Sequence, residues 1–152
     1  MTDSSLPPPL GGYALAIDMT ARNVQDAVKA KGLPWSTAKG FDTFLPLGPY
    51  IAKTLIPDPH DAELSLSVNG ETRQHASTGL MLFRIPTMLA AMSSVMTLAP
   101  GDIVLTGTPA GVGSVGPGDV MRAGLAVGGK EVDGAAFEVE VEEGNGRYVF
   151  EQ

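Results

Sequence analysis

Asp18, Arg22, Gln25, Lys39 and Thr108 are the side chains best placed by type and spacing to do chemistry. Asp18 closes a short apolar run, Tyr13 to Ile17, and precedes a stretch with helical spacing. The N–H groups at a helix start favour an ionised carboxylate. Such a carboxylate at a strand end is also a suitable ligand for a hard cation. Taken alone, Asp18 reads more readily as a helix cap. Arg22, Gln25 and Lys29 recur at i, i+3 and i+7, on one polar helix face. A guanidinium can clamp a carboxylate with paired hydrogen bonds. The ammonium of Lys39 could stabilise an enolate as a point charge. Taken alone, these three are a solvated helix face and a loop lysine.

Thr108 lies in a glycine-rich run from Thr106 to Gly118, TGTPAGVGSVGPG. Successive backbone N–H groups in such a run can cradle an anion. Thr108 could add a hydroxyl and its own N–H to a carboxylate. The run lacks the Gly-Lys-Ser/Thr of a P-loop, so it does not read as a nucleotide site. Other candidates carry less. Glu138, Glu140 and Glu142 share one strand face, and a charged edge explains them. His60 and His75 have no second histidine or helically spaced glutamate nearby and read as neither ligands nor bases. Met88, Met92 and Met96 read as core packing.

A small set of strands, helices and turns would have to hold these residues. Tyr13 to Ile17 reads as a strand buried on both faces. Thr20 is the expected cap of a helix from Ala21 to Lys31, ended by Gly32 and Pro34. Lys39 to Pro59 is irregular and proline-rich. In Glu63 to Gln74, ELSLSV alternates, Asn69-Gly70 suits a type I′ turn, and ETRQ returns as the partner strand. Pro86 starts a second helix carrying Met88, Leu89, Met92, Val95 and Met96. Pro100 to Leu105 and Pro117 to Met121 each pair a Pro-Gly turn with the start of a strand. Gly134 to Glu143 reads as a strand with one wet face. The sum is a strand-rich α+β domain with two short helices. Without βαβ alternation, it is not doubly wound.

Composition bounds the function. The chain has 152 residues, 43% of them hydrophobic and 18% charged, which suits one globular domain with a core. A net charge of −7 repels phosphates and anionic lipid, so neither a nucleic acid nor a membrane is expected as partner. The absence of cysteine excludes disulfides, thiolate catalysis and Cys-ligated zinc. Residues 1–10, MTDSSLPPPL, read as a disordered proline-rich lead without a basic region or an apolar core, hence not as a targeting segment. Residues 11–152 form the domain.

The motifs gain weight from their order. IDMTAR, VQD, GLPW, AKGFDTF, VNGE, LMLFRIP and GDIVLTGTPAGVG succeed one another from Gly11 to about Val141. In this the chain resembles the fumarylacetoacetate hydrolase family, and within it the acylpyruvase and oxaloacetate decarboxylase subgroup. The resemblance implies a mixed β-roll of the family's C-terminal type, often a homodimer, cytoplasmic or in the mitochondrial matrix. It implies Mg²⁺ or Mn²⁺ held by three carboxylates, of which Asp18 matches one. It further implies Lys39 as a catalytic cation near the metal. Arg22 and Gln25 would line the pocket, and Thr108 would hold the carboxylate of a small 2-oxo acid. In complete members the metal stabilises a pyruvate enolate while the C–C bond of an acylpyruvate is hydrolysed. Isomerisation of an unsaturated dicarboxylic acid is the alternative reaction within the family.

Asn23 stands where many members have Asp. The larger departure lies upstream of Asp18, where the family carries a Glu-x-Glu metal pair and a His-x-x-Glu pair. Met1 to Gly12 contains no Glu and no His. The chain thus resembles a member cut just before its GGY segment, and the alternative to the enzyme is a catalytically impaired fragment or a binding and dimerisation module. Missing strands would leave open edges, and oligomers or a molten monomer are expected. A single Asp holds Mg²⁺ weakly, so the purified polypeptide should release little or no pyruvate from acetylpyruvate. Mg²⁺-dependent release that Asp18→Ala abolishes would overturn this.

Overall fold

The computed structural model describes residues 10–144, 146 and 148. The expected lead, 1–10, lies outside them except for Leu10. The fold is strand-rich α+β, as expected, with every ladder among the described strands antiparallel. In chain order, the elements are β1 (Gly12–Tyr13), α1 (Arg22–Ala30), α2 (Ser36–Lys39) and β2 (Ile51–Ala52). After these come β3 (Glu63–Val68), β4 (Glu71–Ser77), α3 (Ile85–Ser93), β5 (Val120–Val127), β6 (Lys130–Glu131) and β7 (Phe137–Glu140). One-turn 3₁₀ segments occupy Lys53–Leu55 and Thr78–Leu80. Among the described residues, the four-residue α2 makes three α-helices where two were expected.

The larger sheet runs β4-β3-β5, with β6 and β7 both bonded to the far edge of β5. Its register reflects alternation. Leu64, Leu66 and Val68 pair with Leu125, Ala123 and Met121, and the last two pair in turn with Phe137 and Val139. One face is therefore apolar. The opposite face sets Ser65 beside Gly124 and Ser67 beside Arg122, and there Arg122 Nη2 donates to both carboxylate oxygens of Glu131, at 2.9 and 3.2 Å. The expected wet face of the last strand is present, with Glu138 and Glu140 exposed and Phe137 and Val139 partly covered.

The hairpin turn forms as its Asn-Gly sequence dictates, with φ of 52° at Asn69 and 80° at Gly70. The returning strand runs on to Ser77, past Gln74. Its register slips between Leu66 and Ser67, which face Gln74 and Thr72 and leave Arg73 as an extra, bulged residue. Asn69 also ties the turn to β5. Its amide donates to Asp119 at 2.8 Å, and its carbonyl accepts from the Val120 N–H at 2.9 Å.

A second, thinner ladder runs beside the sheet. Gly12 and Tyr13 pair with Ala52 and Ile51, and Ala16 bridges to Leu47. Between them, the Gly48 N–H donates to the Leu15 carbonyl at 2.8 Å. The core sits where this ladder meets the sheet. Ile51, Ile56, Ala62, Leu125, Val132 and Ala135 are buried there, with Tyr13, Leu15, Leu64 and Val127 packed against them. Burial, and then the Asp58 charge, raise the Tyr13 phenol above its usual range.

Several expectations need correction. Tyr13–Ile17 is not a doubly buried strand. Only its first residue is in a regular strand, and none of the five is fully buried, because only the ladder side is covered. Pro100–Leu105 does not form a strand, since no described strand pairs with it, and Ile103 is 59% exposed. The α3 methionines are not core. No α3 residue is buried, and Met96, just beyond the helix end, is 59% exposed, for no other described strand or helix makes extensive contact with α3.

His60 has a structural task that its sequence context hid. Its Nε2 accepts from the Ile85 N–H at 3.0 Å, so Nδ1 carries the proton and faces Asp58 at 3.2 Å. The ring thus satisfies the first N–H of α3, whose Arg84 cap supplies no side-chain bond. The His60 backbone N–H holds the Asp58 carboxyl below its usual range, aided by the ring and by Arg84.

Asp119 shows a similar depression. The Gly116 N–H is the main cause, and the Asn69 amide adds to it. A carboxyl whose pKa is lower folded than unfolded stabilises the fold above its unfolded value, about 3.9, and loses that effect as pH falls below it. Asp119→Ala should lower the urea midpoint at neutral pH. The gap to wild type should then narrow as pH drops below about 4.

Candidate functional site

The Asp18 region is built by backbone bonds before any side chain acts. The Ile17 N–H donates to Pro46 and the Met19 N–H to Phe44, at 2.9 and 3.0 Å. Two residues on, the Ala21 N–H donates to the carbonyl of Ala38 at 2.9 Å. Residues 17–21 are thereby laid against 38–46. Ala38 is fully buried, so α2 is anchored by the residue just before Lys39.

This brings Lys39 onto Asp18. Its Nζ donates to Asp18 Oδ2 at 2.6 Å and to Thr20 Oγ1 at 3.1 Å. The Thr20 hydroxyl in turn donates to the Asp18 carbonyl at 3.3 Å. Thr20 is therefore not the helix cap. Ala21 takes that position without a side-chain bond, because the hydroxyl is engaged in this ring. Lys39 is not a loop residue either, but the last residue of α2. The pair is partly open to solvent, with side-chain exposures of 30% for Lys39 and 40% for Asp18.

Arg22 is exposed at the first position of α1. Gln25, one turn on, is only 8% exposed, beside Val24 at 3%. The expected polar face of α1 is thus half correct: Arg22 and Lys29 are wet, whereas Gln25 turns inward with the apolar side. The helix ends as Gly32 suggested, with its N–H on the Lys29 carbonyl and that of Leu33 on Val28.

Thr108 belongs to a separate cluster. Its Oγ1 accepts from Gln74 Nε2 at 3.0 Å, and the same nitrogen donates to the Pro109 carbonyl at 2.8 Å. No hydrogen bond or ion pair among the described residues links Thr108 to Asp18 or Lys39. Sequence reasoning missed Thr20 and Gln74. The signal for Thr20 was its place two residues beyond Asp18, within reach of the same ammonium.

The donor set does not by itself fit a divalent cation. Asp18 is a single carboxylate with one oxygen already on an ammonium. No group of three His, Asp or Glu side chains among the described residues could enclose a metal. His75 is 61% exposed and faces Glu63 at 3.8 Å, and His60 is committed to α3. None of these residues stands by Asp18 as a base.

Residues 10–137 match the fumarylacetoacetate (FAA) hydrolase C-terminal family. The chain belongs to the fumarylacetoacetate hydrolase family. It is 54% identical over 134 residues to the mitochondrial oxaloacetate tautomerase oaa1 of Schizosaccharomyces pombe, covering 88% of this chain and 61% of that protein. Yeast ynq8, a fumarylacetoacetate hydrolase family protein, superposes with a TM-score of 0.88 at 41% identity, over 94% of this chain and 60% of that one. A fumarylpyruvate hydrolase from Pseudomonas aeruginosa, solved with Mn²⁺ and pyruvate, superposes with a TM-score of 0.77 at 34% identity, over 86% of this chain and 54% of that one. The chain thus spans half to three-fifths of the length of the curated relatives it matches.

The Asp18–Lys39 pair is short but partly hydrated, and pairs of this kind contribute little. A double-mutant cycle with Asp18→Asn and Lys39→Met should give a coupling of about 0.5–1 kcal/mol in urea unfolding, shrinking as salt is raised. A coupling of several kcal/mol would show the pair to be far more desolvated than its exposure implies.

Proposed function

We propose that this chain supplies the substrate-holding side of a site for small 2-oxo acids, chiefly oxaloacetate and acylpyruvates. The observation that carries the reading is the Asp18–Lys39 contact at 2.6 Å, set by the backbone at the motif IDMTAR. Relatives that share this stretch of chain are named for oxaloacetate or fumarylpyruvate. Lys39 places positive charge where a 2-oxo acid gains enolate character, and Asp18 keeps that ammonium in position. Arg22 and Thr108 hold the carboxylates.

Tautomerisation and C–C hydrolysis share the enolate and differ in its fate. Tautomerisation removes a proton from C3 and delivers one to the 2-oxo oxygen, leaving the composition unchanged. Hydrolysis adds water across a broken carbon–carbon bond and so needs a base to activate that water. The proton shift needs a base as well, for the C3 proton, and beside Lys39 the described residues place the Asp18 carboxylate. A divalent cation, Mg²⁺ or Mn²⁺, belongs to this reading only if ligands besides Asp18 come from outside the described residues.

The same shortfall of ligands favours a second reading, a non-catalytic module that retains the carboxylate pocket and pairs with a second copy. Mitochondrial placement is the location that fits the relatives' names.

Titrating the ¹⁵N-labelled chain with pyruvate tests the reading. The amides of Asp18, Arg22, Lys39 and Thr108 should shift together, and Lys39→Met should weaken binding about tenfold, the usual worth of a charged hydrogen bond. Shifts confined to other residues, or none at all, would count against a 2-oxo acid site.

A further inference from the structure

Gln74 sits where an apolar residue would be expected. It pairs with Leu66 on the face that also carries Ala123 and Phe137. A half-buried amide on such a face must find partners. It finds them in the glycine-rich segment: Thr108 Oγ1 at 3.0 Å, the Pro109 carbonyl at 2.8 Å and the Ala110 carbonyl at 3.4 Å. Carbonyls only accept, so the NH₂ end of the amide must face them, which fixes the orientation of the side chain. Its two hydrogens match the two shortest of these distances.

The bulge at Arg73 completes the seat. Gly111 has φ of 99°, and a Cβ there would overlap the Arg73 carbonyl oxygen. The segment from Thr108 to Gly111 thus lies directly on the bulged edge of β4, anchored at one end by Gln74 and at the other by close backbone approach.

We propose that Gln74 is a positioning residue that sets the direction of the Thr108 hydroxyl proton. A hydroxyl has one hydrogen and two lone pairs. With one lone pair taken by the Gln74 amide, the Thr108 proton is free to turn outward as a donor. A donor facing outward suits a carboxylate and not a cation. Gln74 therefore gives the site its preference for an anionic substrate group without touching that group. The inference rests on the reading of Thr108 as the carboxylate-holding threonine.

The test compares the full chain with Thr108→Val, Gln74→Leu and Gln74→Glu, tracking pyruvate binding by NMR titration. Gln74→Leu should weaken binding about fivefold, as loss of one neutral hydrogen bond implies. At neutral pH the carboxylate of Gln74→Glu accepts only, draws the Thr108 proton inward and should weaken binding more than Gln74→Leu does. Once protonated, that carboxyl can donate again. Its pKa lies above the ordinary value of about 4.3 because two carbonyls face it. Binding by Gln74→Glu should therefore recover as pH falls, while pyruvate, a stronger acid, stays ionised. Gln74→Leu should show no such recovery, which separates proton direction from mere loss of packing. Gln74→Glu binding like wild type at neutral pH, with Thr108→Val weakened, overturns the inference and leaves the 2-oxo acid reading intact. A wild-type chain whose binding ignores Thr108→Val, or that does not bind pyruvate, removes the Thr108 reading and this inference with it.

Discussion

The acid–lysine half of the site depends on one antiparallel run of backbone hydrogen bonds. It begins where Gly12 and Tyr13 pair with Ala52 and Ile51, passes through the Ala16–Leu47 bridge, and continues from Ile17 and Met19 to Pro46 and Phe44. It ends where Ala21 meets Ala38. Little of it counts as regular strand, yet it sets the distance between Asp18 and Lys39. Backbone groups removed from water must pair, so the run resists fraying at its buried end. There Ile51 contributes to the core, and the position of a partly solvated ion pair is inherited from that burial. The pair itself adds little stability. Its geometry is imposed on it.

The same logic separates the two halves of the candidate site. Asp18, Thr20 and Lys39 are held by the thin ladder, whereas Thr108 is held by the edge of the main sheet through Gln74 and the Arg73 bulge. Each half is ordered by its own neighbours. The apolar surface near α3 belongs to neither. Leu82 is 94% exposed and Leu80 76%, and both lie between β4 and α3. An apolar surface of this kind is costly to leave in water and is a feature of interfaces.

Much of this was legible in the sequence, for identifiable reasons. The hairpin was readable because alternation and Asn-Gly are both local. Gly32 closing α1 was readable on the same grounds, as was a wet strand face within Gly134–Glu143, of which Phe137–Glu140 is regular strand. Asp18 and Lys39 were identified by the ordered motifs. Their contact was not, since nothing in the spacing of residues 21 apart states that Ala21 bonds Ala38. The errors share a cause. Apolar character in Tyr13–Ile17 and the Met88–Met96 stretch suggests burial, and in Pro100–Leu105 a strand, but both need a covering or pairing partner, and periodicity does not say whether one exists. Gln25 failed in the opposite direction, because a polar residue can turn inward where its helix packs. Thr20 and Gln74 stayed hidden because side-chain networks depend on tertiary approach. The sequence shows a hydroxyl and an amide, not their partners.

The run also fixes what lies between its last two bonds. The chain leaves at Ala21, forms α1, turns at Gly32–Pro34, and returns through α2 to Ala38. This excursion starts and ends on a single hydrogen bond. Its far end, Gly32 to Pro34, with Leu33 about half exposed, touches neither Asp18 nor Lys39 by any described hydrogen bond, whereas the Trp35 carbonyl already accepts from the Lys39 N–H at 3.2 Å. The turn at Leu33–Pro34 is thus the place where length and composition can drift, or where a peptide can be grafted, while the acid–lysine spacing stays constant.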